Sequence, residues 1–375
     1  HSQVLRLRVV PYARIWGSGG ILTAPNGPAH IFHPVSASRC VRSLAPWFGA
    51  GVAMVLGVWP GLSAAPARDE AVAGGAGGRG MIPRAVPLAP AAPTNDLSRA
   101  IWQIGLERLH FSCGTIDGTW GSRSQKSVGH FQRVMGLAQT GQLDEATRIW
   151  LGEPEWPFGY YAVTEADMAL VQPTPKLWRD KSRATFLGYD TPWEMLAEKV
   201  HSTPAFLERI NPGVQAISAG TTLIVPNLSP SAPLPLAGRL EIILSQTTLL
   251  VYDVAGRLTA CFPCSIARDK NKRPAGRLVV SILVPNPDYT FSPDVLTSIA
   301  QQEGITRKMM LPPGPNNPVG VAWIGLSLPG YGIHGTPEPT DISRTGSSGC
   351  FRLANWNAQK LLGAVREGVP VDILE

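Results

Sequence analysis

Residues 333–352 read IHGTPEPTDISRTGSSGCFR, and the rest of the chain can be interpreted outward from them. The stretch begins with His-Gly-Thr, ends with Gly-Cys-Phe-Arg, and is otherwise rich in glycine, serine, threonine and proline. A cysteine attacks carbonyl groups as the thiolate, and a nearby imidazole can take its proton. Glycine before the cysteine leaves space for a substrate carbonyl and for main-chain N–H groups that hold an oxyanion. We therefore predict that His334 and Cys350 form a base–nucleophile pair.

This stretch resembles the L,D-transpeptidase (YkuD) catalytic motif, in which His-Gly-Thr precedes Ser-His-Gly-Cys-x-Arg by a short loop. The matching residues are His334 to Thr336 and Ser347 to Arg352. Ser348 stands where the family usually carries a second histidine, whereas the family's catalytic base, the first histidine, is kept as His334. Without the resemblance, the residues also allow a buried cysteine and a loop histidine that share no role.

The resemblance implies a reaction on peptidoglycan. Cys350 would attack the third residue of a tetrapeptide stem, D-Ala would leave, and an amine of a neighbouring stem would resolve the thioester into a 3–3 crosslink. His334 would be the base, with its imidazole fixed by the carbonyl of Gly335. The amides of Gly349 and Cys350 would hold the oxyanion, and no metal or organic cofactor is needed.

Further residues of the stretch are candidates for substrate binding. Arg352 could hold a substrate carboxylate through its planar fork, or form a structural salt bridge. Ser347, Ser348 and Thr336 belong to the same set. Tyr331 is included because it lies next to the loop, although it and Trp323 are typical packing residues.

Two other functions remain open from the sequence. A hydrolase would use the same acyl-enzyme with water as acceptor, and a degenerate domain would leave only a wall-binding protein. The resemblance makes the cysteine a candidate target of carbapenems, and acylation at Cys350 would exclude the degenerate case.

Composition is consistent with an enzyme that acts on an anionic polymer. The 375 residues carry a formal net charge of +6, which suits a cell-wall partner. No nucleic-acid-binding motif accompanies this charge, so we expect no nucleic-acid partner. Five cysteines are too few for a disulfide scaffold. Cys261 and Cys264 form a CxxC within a strand pattern, which favours core cysteines over a redox or zinc site.

The N-terminal part indicates export to the periplasm or cell wall. Residues 39–67 have the basic start, apolar run and small residues of a signal peptide. Because a signal normally begins a chain, residues 1–38 are interpreted as a non-native upstream extension. Residues 68–95 are an Ala/Gly/Pro-rich linker. Membrane contact is expected only through the signal, or through an apolar anchor in its place.

Residues 96–151 predict three helices joined by turns rich in glycine and aspartate. Their helical spacing includes Ile149 and Trp150 in the third helix. The segment resembles the three-helix peptidoglycan-binding domain, whose signature is matched by Ile116-Asp117-Gly118, Phe131-Gln132 and Thr140 to Asp144. The same residues could instead serve only to hold the turns.

Residues 160–227 resemble a lysin-motif domain, a small βααβ glycan binder. The first strand is expected within Tyr160 to Val171, and Thr203 before Pro204 is a good helix cap. A helical-hairpin spacer is the alternative. Residues 228–237 are a Pro-rich linker.

In residues 238–375, apolar and polar residues alternate as is typical of strands, with a turn at Asp253 to Gly256 and a helix at Asn355 to Glu367. This length suffices for one domain with its own core. We therefore predict a multidomain α+β chain: a three-helix domain, a small βααβ-like domain and a mostly β catalytic domain. We expect it to be a monomer.

Overall fold

The structure, a computed structural model, describes residues 95–344, 346–347 and 349–375. The extension, signal peptide and linker predicted over residues 1–38, 39–67 and 68–95 therefore lie outside the described residues, apart from residue 95, and so does Ser348. In the part of the chain that is described, no helix has the length and apolar character to cross a membrane.

Three helices form the first region, as the sequence predicted. They are α1 (Asn95–Arg108), α2 (Ser122–Val134) and α3 (Glu145–Leu151). Asp144 caps α3, because its carboxylate accepts from the Thr147 amide at 2.8 Å. Ile149 and Trp150 lie in α3, as the sequence predicted, and are 72% and 59% exposed. This helix has seven residues, of which Thr147 is buried.

The signature residues of this region hold its turns. The Gln103 side-chain oxygen accepts from the amides of Asp117 and Gly118, at 3.1 and 2.9 Å. The Gln132 amide group donates to Thr147 Oγ1 at 2.8 Å, and its oxygen accepts from the Gly141 amide at 2.9 Å. These glutamines satisfy backbone groups that the turns leave without partners.

The second region has two strands that flank four short helices. In chain order they are β1 (Phe158–Ala162), α4 (Glu165–Ala169), α5 (Trp178–Lys181), α6 (Pro192–Lys199), α7 (Pro204–Ile210) and β2 (Thr222–Pro226). The two strands pair antiparallel, with Phe158 opposite Pro226. Thr203 caps α7 by accepting from the Phe206 amide, as its place before Pro204 predicted.

The third region is built on strands. They are β3 (Ala237–Ile243), β4 (Thr248–Asp253), β5 (Leu258–Pro263), β6 (Gly276–Pro285), β7 (Tyr289–Phe291), β8 (Met309–Leu311), β9 (Ala322–Leu326), β10 (Gly332–His334), β11 (Phe351–Arg352) and β12 (Pro370–Leu374). Two helices accompany them, α8 (Thr297–Glu303) and α9 (Asn355–Ala364). The predicted closing helix thus ends three residues before Glu367. The α+β prediction is confirmed for the helical first region and this mostly β region.

One sheet dominates this region among the described residues. Its strand order is β11–β10–β9–β6–β12–β3–β4–β5, and β7 pairs separately with β8. Its buried core includes Leu240, Ile242, Leu249, Val251, Phe262, Ile324, Ile333, Phe351, Leu361 and Val371. The pair β10–β11 is parallel and lies at one edge, so the loop between them must return along the sheet before β11 begins.

The first region packs directly on the other end of this sheet. The Ser112 amide donates to the Cys261 carbonyl at 2.9 Å, and the Cys261 amide donates to the His110 carbonyl at 3.0 Å. Phe111 and Phe131 meet edge to face at 5.8 Å and share a core cluster with Leu250. The described residues therefore belong to one compact unit.

Candidate active site

The sheet edge brings the two ends of the loop together. Strand β10 ends at His334 and pairs with β11 in the register Ile333 opposite Phe351 and His334 opposite Arg352. Cys350 immediately precedes β11, two positions before Arg352. Since side chains alternate along strands, Cys350, Arg352 and His334 project from the same face, while Ile333 and Phe351 enter the core.

His334 is held as a neutral imidazole. Its Nδ1 lies 2.6 Å from the Gly335 carbonyl oxygen. A carbonyl can only accept, so Nδ1 carries the proton and Nε2 is left with a lone pair. The ring stacks on Trp323, with centroids 5.6 Å apart. Burial lowers the pKa of His334 to about 4, so at neutral pH Nε2 is free to accept a proton.

Cys350 is held as a thiol. Its Sγ lies 3.5 Å from the Gly330 carbonyl oxygen, and the side chain is only partly buried. Burial raises the pKa of Cys350 to about 11, although a backbone hydrogen bond from Gly332 acts in the opposite direction. The resting site therefore contains a neutral thiol and a neutral imidazole rather than an ion pair.

Ser347 and Gly349 shape the approach to Cys350. The Ser347 hydroxyl donates to the Cys350 carbonyl oxygen, and the Gly349 amide donates to the Ser347 hydroxyl at 3.3 Å. Gly349 also lies against the ring of Tyr331, whose hydroxyl donates to the Lys272 carbonyl at 3.0 Å. The Gly349 amide must leave Ser347 before it can serve an oxyanion.

Arg352 lies beside His334 and is half buried. Its backbone exchanges two hydrogen bonds with Ser265, at 2.9 and 3.0 Å. Burial lowers the pKa of the guanidinium, and the carboxylate of Asp341 acts against this shift. The Asp341 carboxylate thus acts on the guanidinium from within the protein, and both roles named from the sequence stay predictions.

Thr336 is buried and fixed through its backbone. Its amide donates at 3.0 Å to Oδ1 of Asn355, the first residue of α9. The same oxygen accepts from the Val321 amide at 3.3 Å. A side chain at Gly335 would overlap Asn355 Oδ1, so glycine is required for this close approach.

Sequence reasoning missed Asn355. An asparagine at the start of a helix reads as a cap, and nothing local shows that its amide reaches back to the catalytic loop. Asn357 of the same helix is buried and donates to Ser112 Oγ at 3.2 Å.

Three further cysteines lie within the described residues. Cys113, Cys261 and Cys264 are buried, and these residues and Cys350 are all free of disulfide bonds. Burial raises the pKa of Cys264 to about 12. Among the residues with described positions, no group of three His, Cys, Asp or Glu side chains is arranged to hold a metal ion.

Comparison with known proteins agrees with this geometry. Residues 237–373 match the family profile of the YkuD L,D-transpeptidase catalytic domain, and residues 98–151 match that of a peptidoglycan binding domain. A protein of Bacillus licheniformis named as the L,D-transpeptidase YkuD is 28% identical over 182 residues, which cover 48% of this chain and 92% of that protein.

A second relative and a solved structure carry the same family name. The L,D-transpeptidase ErfK/SrfK of Salmonella typhimurium is 27% identical over 232 residues, covering 59% of this chain and 74% of that protein. The crystal structure of an L,D-transpeptidase from Xylanimonas cellulosilytica is 15% identical with a TM-score of 0.32, covering 74% of this chain and 92% of that chain.

The chain therefore carries a YkuD-type L,D-transpeptidase catalytic domain and is an enzyme of that class. It also carries a peptidoglycan-binding domain, so peptidoglycan is its partner.

Proposed function

We propose that the chain joins peptidoglycan stem peptides through a thioester on Cys350. The observation that carries this proposal is the pairing of β10 with β11, which sets His334 and Cys350 on one face of a sheet edge, with Nε2 of His334 unprotonated. A neutral thiol on the same sheet face as a neutral imidazole can pass its proton to that imidazole as the sulfur attacks.

The reaction has two halves that balance. In the first, the Cys350 thiol proton moves to His334, the sulfur bonds to the carbonyl carbon of the third stem residue, and D-Ala leaves with the proton from His334. In the second, the amine of another stem attacks the thioester, His334 takes the amine proton, and the thiol is restored. The product is a 3–3 crosslink.

Charge develops on the carbonyl oxygen in both halves. We assign its stabilisation to the amides of Gly349 and Cys350, after the Gly349 amide releases the Ser347 hydroxyl. That exchange involves one hydrogen bond of 3.3 Å, which is long for an N–H donor. Substrate can therefore compete for the donor at low cost.

Ser347, Thr336, Tyr331 and Arg352 are proposed to line the substrate path. Thr336 is held by Asn355 through its backbone amide, and Tyr331 lies against Gly349 with its hydroxyl held by the Lys272 carbonyl. Ser348 belongs to the same proposal by its sequence position.

Product analysis tests the function. Purified tetrapeptide-bearing wall fragments are incubated with the wild type, with Cys350→Ala and with Cys264→Ala as the matched cysteine control. We expect crosslinked dimers and free D-Ala from the wild type and the control, and neither from Cys350→Ala. Monomeric tripeptides without dimers would identify water as the acceptor and make the enzyme a hydrolase.

Carbapenem acylation distinguishes an unreactive Cys350 from a reactive Cys350 whose acceptor is missing from the assay. A carbapenem should add its mass once to the wild type and to Cys264→Ala, and not to Cys350→Ala. If the wild type gives neither adduct nor product, the chain only binds the wall.

The proposal also covers the location of the enzyme and the role of the second region. Because peptidoglycan lies outside the cytoplasmic membrane, we place the enzyme there, as an exported monomer. The lysin-motif resemblance of residues 160–227 stays a prediction, which binding of isolated glycan strands would test.

A further inference from the structure

A buried carboxylic acid of the second region contacts the catalytic region. Glu198 lies on α6 with 8% of its surface exposed. Its Oε1 accepts a hydrogen bond of 2.7 Å from Nδ2 of Asn355, 157 residues later in the chain. The proposed mechanism does not use this acid, although a buried acid needs a compensating role.

Asn355 connects this acid to the catalytic loop. Its Oδ1 accepts from the Thr336 amide at 3.0 Å, and Gly335 lies against the same oxygen. The Gly335 carbonyl in turn fixes Nδ1 of His334 at 2.6 Å. One side chain therefore separates Glu198 from the two residues that follow the catalytic imidazole.

The oxygen and the nitrogen of the Asn355 side-chain amide each face hydrogen-bond partners of one kind. Oδ1 faces two N–H donors, and Nδ2 faces two acceptors, Glu198 and the Pro315 carbonyl at 3.1 Å. A flipped amide would put its NH2 group against the N–H of Thr336 and of Val321. The N–H groups of Thr336 and Val321 thus fix the orientation, and the oxygen of Glu198 satisfies the Nδ2 group that this orientation turns toward it.

Other contacts join the second region to the segment around Pro315. The Leu187 amide donates to the Pro313 carbonyl at 2.9 Å, and the Asn316 amide donates to the Leu187 carbonyl at 3.0 Å. These contacts flank Pro315. Trp178 of α5 packs on Phe291 of β7 with centroids 5.1 Å apart. The second region therefore packs against the segment whose Pro315 carbonyl also accepts from Asn355.

We propose that Glu198 is a positioning residue for the catalytic loop, acting through Asn355, and that residues 158–226 are a structural part of the active site. This inference rests on the proposed function, since it assigns His334 as the base that is positioned. It gives the second region a role that does not depend on glycan binding.

The protonation state of Glu198 determines which substitutions test the proposal. Burial raises the pKa of Glu198 to about 8, with Glu194 adding to the shift and the hydrogen bonds from Asn355 and Tyr189 opposing it. At pH 7 the acid is mostly neutral. Glutamine reproduces its shape and its acceptor oxygen, whereas methionine keeps the volume and removes the acceptor.

The experiment compares Glu198→Gln and Glu198→Met with Glu194→Gln as the control. Glu194 lies one turn earlier on α6 and accepts from the Asp190 amide instead. For a tetrapeptide substrate at pH 7, we expect Glu198→Met to lower kcat about tenfold or more, with KM within about twofold. Glu198→Gln and the control should stay within about threefold of the wild type.

A second variant, Glu198→Ala, keeps the inference testable if Glu198→Met does not fold. Glu198 borders a cleft of about 440 Å³ that Glu338 and Asn316 also line. Glu198→Ala opens toward this cleft, so acetamide should restore part of its lost kcat by supplying the missing oxygen. Unfolding midpoints measured alongside separate a local effect on rate from a global loss of structure.

Two results would overturn the inference. One is a folded Glu198→Met or Glu198→Ala with the wild-type kcat, and the other is a Glu198→Gln as slow as Glu198→Met. Failure of the proposed function looks different, because wild type and Cys350→Ala would then be equally inactive and equally free of carbapenem adduct.

Discussion

The pH dependence of Cys350 alkylation follows from its buried position. With a pKa of about 11, roughly 1 in 10,000 Cys350 side chains is a thiolate at pH 7. The fraction rises about tenfold for each pH unit up to 10. Because the thiolate is the nucleophile, the rate of alkylation by iodoacetamide should rise about a thousandfold between pH 7 and pH 10.

Peptide mapping after timed alkylation measures this rate at Cys350 alone. The described neighbours Cys113, Cys261 and Cys264 are buried and serve as internal references for slow labelling. His334→Gln is the matched control. Since His334 is neutral in the resting site, this variant should change alkylation at pH 7 by less than about threefold, yet abolish turnover.

A rate that is already level between pH 5 and pH 8 would contradict this reasoning. Such a plateau is the signature of a thiolate–imidazolium pair, and it would disappear in His334→Gln. The neutral resting state would then be wrong, and thiol activation would precede substrate binding.

Other predictions concern the loop and the junction between regions. Gly335→Ala should lower kcat at least tenfold without a change in the unfolding midpoint above about 5 °C, because the methyl group displaces Asn355; normal kinetics would contradict it. Lys360→Met should reduce the free energy of unfolding by about 3 kcal/mol in urea titrations, because it removes the lysine that pairs with the buried Glu107 carboxylate and leaves the hydrogen bond with His201; a loss below about 1 kcal/mol would refute this. Burial opposes the ionisation of Glu107, but Lys360 and His201 outweigh it and hold the Glu107 pKa well below its usual range, so this stability is present above about pH 4.3 and is lost as the pH falls. Burial also lowers the pKa of His201, so the unfolded chain takes up its proton first, and the His201 contribution to the free energy of unfolding should fall below pH 6.5; a difference between wild type and His201→Gln that stays constant from pH 6.5 to pH 4 would count against this assignment.

Local patterns predicted the elements whose signals are local. The strands and the turn at Asp253 to Gly256 follow from alternation and turn residues, and β4 and β5 end and begin there. The histidine and cysteine of the loop were recognisable because their chemistry and spacing coincide in one motif. The structure adds that β10 and β11 are parallel neighbours, which no spacing along the chain determines.

Long-range partners could not be predicted. Glu198 reads as one more polar residue on a helix, and its burial arises only when α6 meets α9. The packing partner decides whether Glu198 is buried, and that partner lies far away in sequence.

The position of Glu198 affects where the N-terminal boundary of the catalytic unit should be drawn. The family profile begins at residue 237, yet a side chain that holds Asn355 comes from residue 198. Without Glu198, Nδ2 of Asn355 would keep the Pro315 carbonyl as its one remaining acceptor among the described contacts. A fragment that begins at 237 would therefore contain every reacting group while losing a support of the imidazole. The reacting groups of this chain lie in one motif, whereas the contacts that position them also come from the packing between regions. The segment that contains the reacting groups is therefore shorter than the segment that the active site needs.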